Sequence, residues 1–376
     1  MADLRILLVT PDFPPTVGGI QRLLVRVCEH LSAATVKVVT PAHPGAEAAD
    51  RELPFEVVRA GAAGIRRVTL AAVNAAATRE ARSYRPDVVL VGHIVCSPGA
   101  MLAGRLLGVP VVQWFHADEI GTRPSLAAFA YRSAAASIAV SAHTKALIAE
   151  VAGDARKAHV INNGVDLPES SGNGARPGPP TVLTVARITE RYKGHDVLAR
   201  ALPLVRARVP DVRWVVVGDG ELRPSIESLV SANGVDDAVV FTGSVADEER
   251  DSWLRRSHVF AMPSRLPASR PGGEGFGIAY LEAGAHALPV VAGRVAGALD
   301  AVRDGETGLL VDPADHLAVA EAVADLLMDA GKAARMGRAG RAFAENHAWP
   351  LVAARVEDLL RSVAEHRQPT RGVRIL

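Results

Sequence analysis

Cysteine is nearly absent from this 376-residue chain: Cys28 and Cys96 are the only two. They cannot build a disulfide framework and lie at no metal-ligand spacing, which predicts a reducing compartment. Long apolar runs are missing too. No window approaches the ~18 uninterrupted apolar residues of a membrane span, and the opening "MADLRILLVTPDFPP" has neither a basic stretch nor a small-residue cleavage site. Neither a membrane span nor a secretory leader is therefore expected, and a cytoplasmic location is. There is no excess of charge of one sign. The formal net charge is +1, split as +3 over residues 1–166 (17 Lys+Arg against 14 Asp+Glu) and −2 over the rest, which gives a nucleic-acid partner no support. Lysine is scarce: Lys37, Lys145, Lys157, Lys193 and Lys332 are the only ones, so a well-placed lysine stands out.

What is present is apolar material, 49% of the chain, laid out in a repeating pattern. Short β-branched runs at 4–10, 36–40, 55–60, 87–93, 109–116, 136–141 and 159–162 alternate with segments of helical periodicity such as "GGIQRLLVRVCEHLS". After "LPESSGNGARPGPP" (167–180), which has linker composition, runs at 181–187, 212–219, 238–243, 259–264, 289–293 and 308–312 resume the alternation. From Leu317 to about Glu365 the pattern is nearly all helical. Near-continuous apolar strands alternating with helices predict parallel sheets covered on both faces. The expected fold is α/β, two doubly wound Rossmann-like domains facing a cleft: residues 1–166, a linker over 167–180, residues 181–345, and a helical segment 346–376 returning to the first domain. Ligands in such sheets bind beyond the carboxyl ends of the strands, where the chemistry is sought.

After the first run, Gly18 and Gly19 open a helix and allow backbone N–H groups to approach an anion; standing alone, the stretch reads first as a tight strand–helix turn. No G-x-G-x-x-G stands there, which counts against an oxidoreductase. "QWFHADEIG" puts His116 at a strand end beside Asp118 and Glu119. Arg187 ends the first strand of the second half, and Lys193 precedes a glycine at the next helix start, a combination that suits a diphosphate. Gly218 and Gly220 form a Gly-Asp-Gly turn of low specificity, and Val245, at a further strand end, packs on a flat base or merely starts a helix. In "GGEGFGIAYLEAGAHALPVV" (272–291), Glu274 lies at a helix mouth and Glu282 inside the helix, about 12 Å apart along the axis if both are helical at ~1.5 Å per residue. Two carboxylates so separated suit a long ligand with hydroxyls at each end and anionic charge between, held by amides around Phe276, Gly277 and Ile278. A nucleotide-diphosphate sugar has that order.

The "FPPTVGGIQR" loop, "INNGVD", "ARITERYKG", "VVGDGE", "EGFGIAYLEA" and "GLLVDP" occur in an order that resembles glycosyltransferase family 4, enzymes of the GT-B fold, over almost the whole chain. Within it, "DFPPTVGGIQRLL" and "FAMPSRLPASRPGGEGFGIAYLEAGAHALPVVAG" are similar to phosphatidylinositol mannosyltransferases. The resemblance implies retaining, metal-independent hexosyl transfer, and no Asp-x-Asp occurs. It implies an acceptor-side first domain, a nucleotide-sugar-binding second one and no permanently bound cofactor. The implied donor is GDP-mannose, with a UDP-sugar as the alternative, and the implied acceptor is a hydroxyl of a lipid, glycan or small molecule. Carried over, Gly19 meets the donor phosphate, Arg187 and Lys193 neutralise the diphosphate, Glu282 binds ribose, Glu274 the transferred sugar, and His116 the sugar or its oxocarbenium-like centre. Ala117 departs from the glycine common after this histidine. A sugar-nucleotide epimerase, a phosphorylase, a natural-product or polysaccharide glycosyltransferase and a non-catalytic binding module are the competing readings. The basic stretch 66–85 is either a solvated helix face or a peripheral contact with the inner face of a membrane.

Overall fold

A computed structural model describes residues 3–61, 66–169, 176–268 and 271–366, Arg66 by its backbone alone. Part of the expected linker, 170–175, lies outside the described residues. The chain divides into two compact units, Met1–Asn163 with Trp349–Leu376, and Gly164–Ala348.

The first unit holds a seven-stranded sheet: β1 (Leu4–Val9), β2 (Ala34–Pro41), β3 (Glu56–Ala60), β4 (Val88–Val91), β5 (Val111–Phe115), β6 (Ala136–Ala139) and β7 (Ala158–Val160). Its order is β3-β2-β1-β4-β5-β6-β7, and every pairing is parallel. Parallel strands exchange evenly spaced hydrogen bonds and need both faces covered, so the central strands are mostly apolar: β4, β5 and β6 are buried at every position, Gln113 and Ser137 being their polar residues. Helix Arg66–Tyr84 lays Val73, Ala76, Ala77 and Ala81 on Leu7, Val9, Val89 and Val91. Helix Trp349–Glu365 belongs to this unit and packs on helix Gly19–His30. There Glu357 accepts the backbone N–H groups of Ser32 (2.9 Å) and Ala33 (3.3 Å). Helix Trp349–Glu365 thus covers the first crossover, between β1 and β2.

The second unit holds β8 (Thr181–Val185), β9 (Arg213–Val217), β10 (Val239–Gly243), β11 (Val259–Met262), β12 (Val290–Gly293) and β13 (Gly308–Val311). Their order is β10-β9-β8-β11-β12-β13, again all parallel. Arg176 pins the chain entering β8: its guanidinium donates to the carbonyls of Leu254, Arg255, Ser257, His286 and Ala287 at 2.6–3.1 Å. In both sheets the winding direction reverses once, between β1 and β4 and between β8 and β11. At such a switch point the two loops beyond the strand ends diverge and leave a crevice, the usual ligand position of a doubly wound sheet.

Candidate functional site

At the second unit's switch point, the loop after β8 carries Arg187 and Lys193, and the loop after β11 carries Glu274. Four contacts tie them together. Lys193 Nζ donates to Glu274 Oε2 at 2.6 Å, with both side chains largely buried. The Arg265 backbone N–H donates to Tyr192 O at 2.8 Å, and the Arg265 guanidinium grips both oxygens of Asp196 at 2.9 and 3.0 Å. Gly194 adopts φ +83° with its Cα against the Pro263 carbonyl, where a Cβ would collide. Burial opposes the Lys193 ammonium, but Glu274, helped by Tyr192 and Glu190, outweighs it and holds the pKa above the ordinary lysine value. Lys193 is therefore a fixed point charge. Arg187 is its opposite, 69% exposed, with its guanidinium 3.4 Å from Glu190 Oε1.

Gly218 and Gly220 adopt φ +136° and +158°, and a Cβ on either would strike the carbonyls of Ala186 or Ile188. Their purpose in the fold is close approach to the Arg187 loop, which is bonded to them through Ala186 N–H to Val217 O and Ile188 N–H to Asp219 O. Val245 is half-buried between β10 and helix Asp247–Arg256.

Glu274 does not begin a helix. It stands four residues before helix Ile278–Ala285, whose entry turns on Gly277 at φ +95°. The straight helical separation taken from the sequence is replaced by a turn at Gly277, whose lack of a Cβ leaves room for the Tyr280 ring. Tyr280 OH donates to Met262 O (2.7 Å) and meets Ser264 Oγ (3.0 Å), fastening this helix to the end of β11. Phe276 is buried and its ring lies 6.1 Å from that of His347, so only its backbone can serve a ligand. The first N–H groups of the helix, Ile278 included, have no acceptor within it. Glu282 lies on the same helix, 14% exposed, with Arg250 at 4.0 Å.

In the first unit, Gly18 is extended and Gly19 starts helix Gly19–His30. Arg59 supports this loop by donating to Pro14 O at 2.6 Å while paired with Asp50. His116 follows β5 and is 8% exposed. Its Nε2 lies 3.1 Å from Gly92 O. Burial lowers its pKa to about 4 against the raising effect of the Gly92 carbonyl, so the ring is neutral at pH 7. Glu119, beside it in sequence, is buried and bonds to both this loop and the one after β4. Sequence reasoning missed the structural parts of Glu119, Arg265, Tyr280 and Gly194. Only the positive φ glycine before a helix had a local signal.

Among the described residues no cluster of metal-ligating side chains occurs, and no helix is long and apolar enough to cross a membrane.

Two α/β units with these loops at their switch points define a nucleotide-sugar glycosyltransferase architecture, and comparison with known proteins agrees. The description Glycosyltransferase Family 4 matches residues 17–169, and Glycosyl transferases group 1 matches residues 179–329. The GDP-mannose-dependent alpha-(1-6)-phosphatidylinositol monomannoside mannosyltransferase of Mycolicibacterium smegmatis is 36% identical over 96% of this chain and 100% of its own. A monoacylated-substrate counterpart from Corynebacterium glutamicum is 31% identical over 96% and 99%. Among solved structures, the sucrose-phosphate synthase of Thermosynechococcus elongatus superposes with TM-score 0.80 at 22% identity, covering 96% of this chain and 99% of its own. Anabaena HepE with UDP and glucose superposes at 0.76 and 20% identity, over 95% and 99%. The chain belongs to the family 4 glycosyltransferases of GT-B fold. It is a hexosyltransferase that uses a nucleotide-sugar donor and a glycosyl acceptor.

Proposed function

We propose that the chain transfers mannose from GDP-mannose, with retention, to a hydroxyl of a phosphatidylinositol mannoside. The observation that carries this reading is the Lys193–Glu274 pair at the β8/β11 switch point, in a chain aligned end to end with GDP-mannose-dependent relatives. Lys193 and Arg187 neutralise the diphosphate, and the charge that develops on the leaving phosphate is where their attraction grows most. The amides of Phe276, Gly277 and Ile278 and of Gly19 add donors to the phosphates. Glu282 accepts from the ribose hydroxyls, and Glu274 from a hydroxyl of mannose. The family resemblance gives His116 a contact with the sugar. The anomeric carbon–phosphate oxygen bond breaks, the acceptor oxygen bonds on the same face, and the departing phosphate oxygen takes the hydroxyl proton. No protein nucleophile and no metal is called for.

A lipid acceptor also gives helix Arg66–Tyr84 a role. Its buried face packs on the sheet, while Arg67, Arg79 and Arg82 are exposed and can meet anionic headgroups. Thermal shift with GDP-mannose, UDP-glucose and ADP-glucose tests the donor: a ligand at 100 times its Kd should stabilise the protein by ~2.7 kcal/mol. Stabilisation by UDP-glucose alone would replace GDP-mannose in this proposal. Product analysis with labelled donor and phosphatidylinositol monomannoside then separates transfer from epimerisation.

A further inference from the structure

Within the second unit, the loop that carries Arg187 and Lys193 also walls a cavity of about 190 Å³, between helix His195–Arg208 and helix Arg223–Ala232. The latter helix follows β9, on one side of β8, whereas Glu274 follows β11, on the other. The cavity is therefore distinct from the Lys193–Glu274 contact. Its floor is apolar: Ile188 and Ile226 are buried, and Leu222 and Leu229 pack on the same core. A dry cavity of about 150 Å³ holds a benzene ring, so this one has room for a ring or a branched chain and a small polar head. The polar walls are unevenly satisfied. Asp196 commits both carboxylate oxygens to Arg265, at 2.9 and 3.0 Å, which leaves Arg200 at 3.7 Å. Arg191 and Arg200 are both exposed along the wall, where two guanidinium groups suit a carboxylate. Glu190 has the opposite need. Its Oε1 meets Arg187 at 3.4 Å, while its Oε2 is buried without a hydrogen-bond partner. His195, 3% exposed, lines the cavity too, and its Nε2 is likewise unpartnered. Buried polar atoms left in this state are costly, and a ligand that brings a donor removes part of the cost.

We infer that this cavity binds an amphipathic zwitterion of the apolar amino-acid class: the carboxylate on Arg191 and Arg200, the ammonium on Glu190, and the apolar side chain on the floor. Occupancy is linked to the donor through Glu190. An ammonium on that carboxylate weakens its hold on Arg187, and a released Arg187 is available to the diphosphate. The zwitterion and the nucleoside diphosphate therefore strengthen each other's binding by one common factor. The linkage rests on the transfer reading above, in which Arg187 serves the diphosphate; occupancy of the cavity does not.

Ligand-observed NMR on the full chain, with free phenylalanine, phenylacetate and phenethylamine as probes, tests the site. Phenylalanine should bind saturably near ~1 mM, an affinity within reach of a ligand of about twelve heavy atoms. Each singly charged analogue should bind at least about fivefold more weakly, for want of one charge-assisted contact. Arg191→Ala combined with Arg200→Ala should weaken phenylalanine and phenylacetate and spare phenethylamine. Glu190→Gln should weaken phenylalanine and phenethylamine and spare phenylacetate. Ser225→Trp, at the exposed wall, should fill the cavity and abolish binding of all three. If that variant does not fold, the arginine and Glu190 variants still decide. Absence of saturable phenylalanine binding below about 10 mM would overturn the inference, as would equal affinity for the three probes. Calorimetric titration with GDP should show about fivefold tighter binding at saturating phenylalanine. GDP affinity indifferent to phenylalanine would overturn the linkage. A chain that binds no GDP at all would sink the transfer reading, while the NMR result would still judge the cavity.

Discussion

Lys193 and Glu274 cannot be interpreted singly, because each is the other's partner in a largely buried place. Lys193→Ala removes a phosphate-directed charge and leaves a carboxylate behind, so turnover should fall ~10²-fold or more. Arg187→Ala should cost about as much, since its exposed side chain is free to follow the charge on the leaving group. Near-wild-type kcat in either variant would end the assignment. The glutamates should fail differently. Glu282→Gln should weaken GDP and GDP-mannose alike, by at least about tenfold, because both contain ribose and a hydrogen bond to a charged group contributes roughly 1.5–3 kcal/mol. Glu274→Gln releases Lys193 from its carboxylate, so GDP affinity should hold or rise while transfer falls. Calorimetric titration of both variants with GDP and GDP-mannose reads the split, and parallel losses in both would refute it. Transfer should also survive EDTA. A strict Mg²⁺ or Mn²⁺ requirement restored on addition would mean that Arg187 and Lys193 are not the diphosphate's counter-charge.

The strand-end loops, as elements, depend on glycine for proximity rather than for flexibility. Gly218 touches the Ala186 carbonyl at a φ of +136° that side chains rarely adopt. Gly218→Ala should therefore cost at least ~1–3 kcal/mol and push the Arg187 loop outward. The expected outcome is a lower denaturation midpoint together with weaker GDP binding. A midpoint loss with unchanged GDP affinity would show that the turn and the Arg187 loop are uncoupled. The strands and long helices of the described residues were legible in the chain, because a two-sided sheet demands mostly apolar runs and helices show their period. The turn between Glu274 and helix Ile278–Ala285 was not legible, because the left-handed conformation of Gly277 shows only in the folded backbone, where the Tyr280 ring takes the place of a Cβ.

For the molecule as a whole, the buried ionisable groups set opposing pH dependences. Burial lowers His116 and His195 to about 4, with Lys193 adding to the effect on His195. Between pH 6.5 and about 4 the unfolded chain binds protons that these folded rings refuse, so stability falls with acidification. Burial raises Glu119 to about 8, against the lowering pull of the His116 and Ile94 amides. From pH 4.5 to about 8 the folded chain holds a proton that the unfolded chain releases, so this group's contribution falls as pH rises. Below 6.5 the two histidines oppose the carboxyl, and above 6.5 Glu119 acts without them. Denaturant midpoints should therefore decline between pH 6.5 and 8, with a slope of up to about 1.4 kcal/mol per pH unit. In Glu119→Gln that decline should vanish. An identical slope in the variant would assign it to other groups.

Read alone, the residues determined two doubly wound α/β layers, the family, and the candidates Arg187, Lys193, Glu274, Glu282 and His116. They could do so because apolar periodicity and strand-end position are local properties of a chain. Only the tertiary structure decided that Lys193 and Glu274 form one pair, since 81 residues separate them and the reversal between β8 and β11 brings their loops together. Only the structure showed that Gly218 and Gly220 serve packing against a neighbouring loop, and that Glu119 joins the His116 amide to the loop after β4. Those facts depend on which strands lie side by side, and strand order is set by the packing of the whole sheet rather than by any one segment.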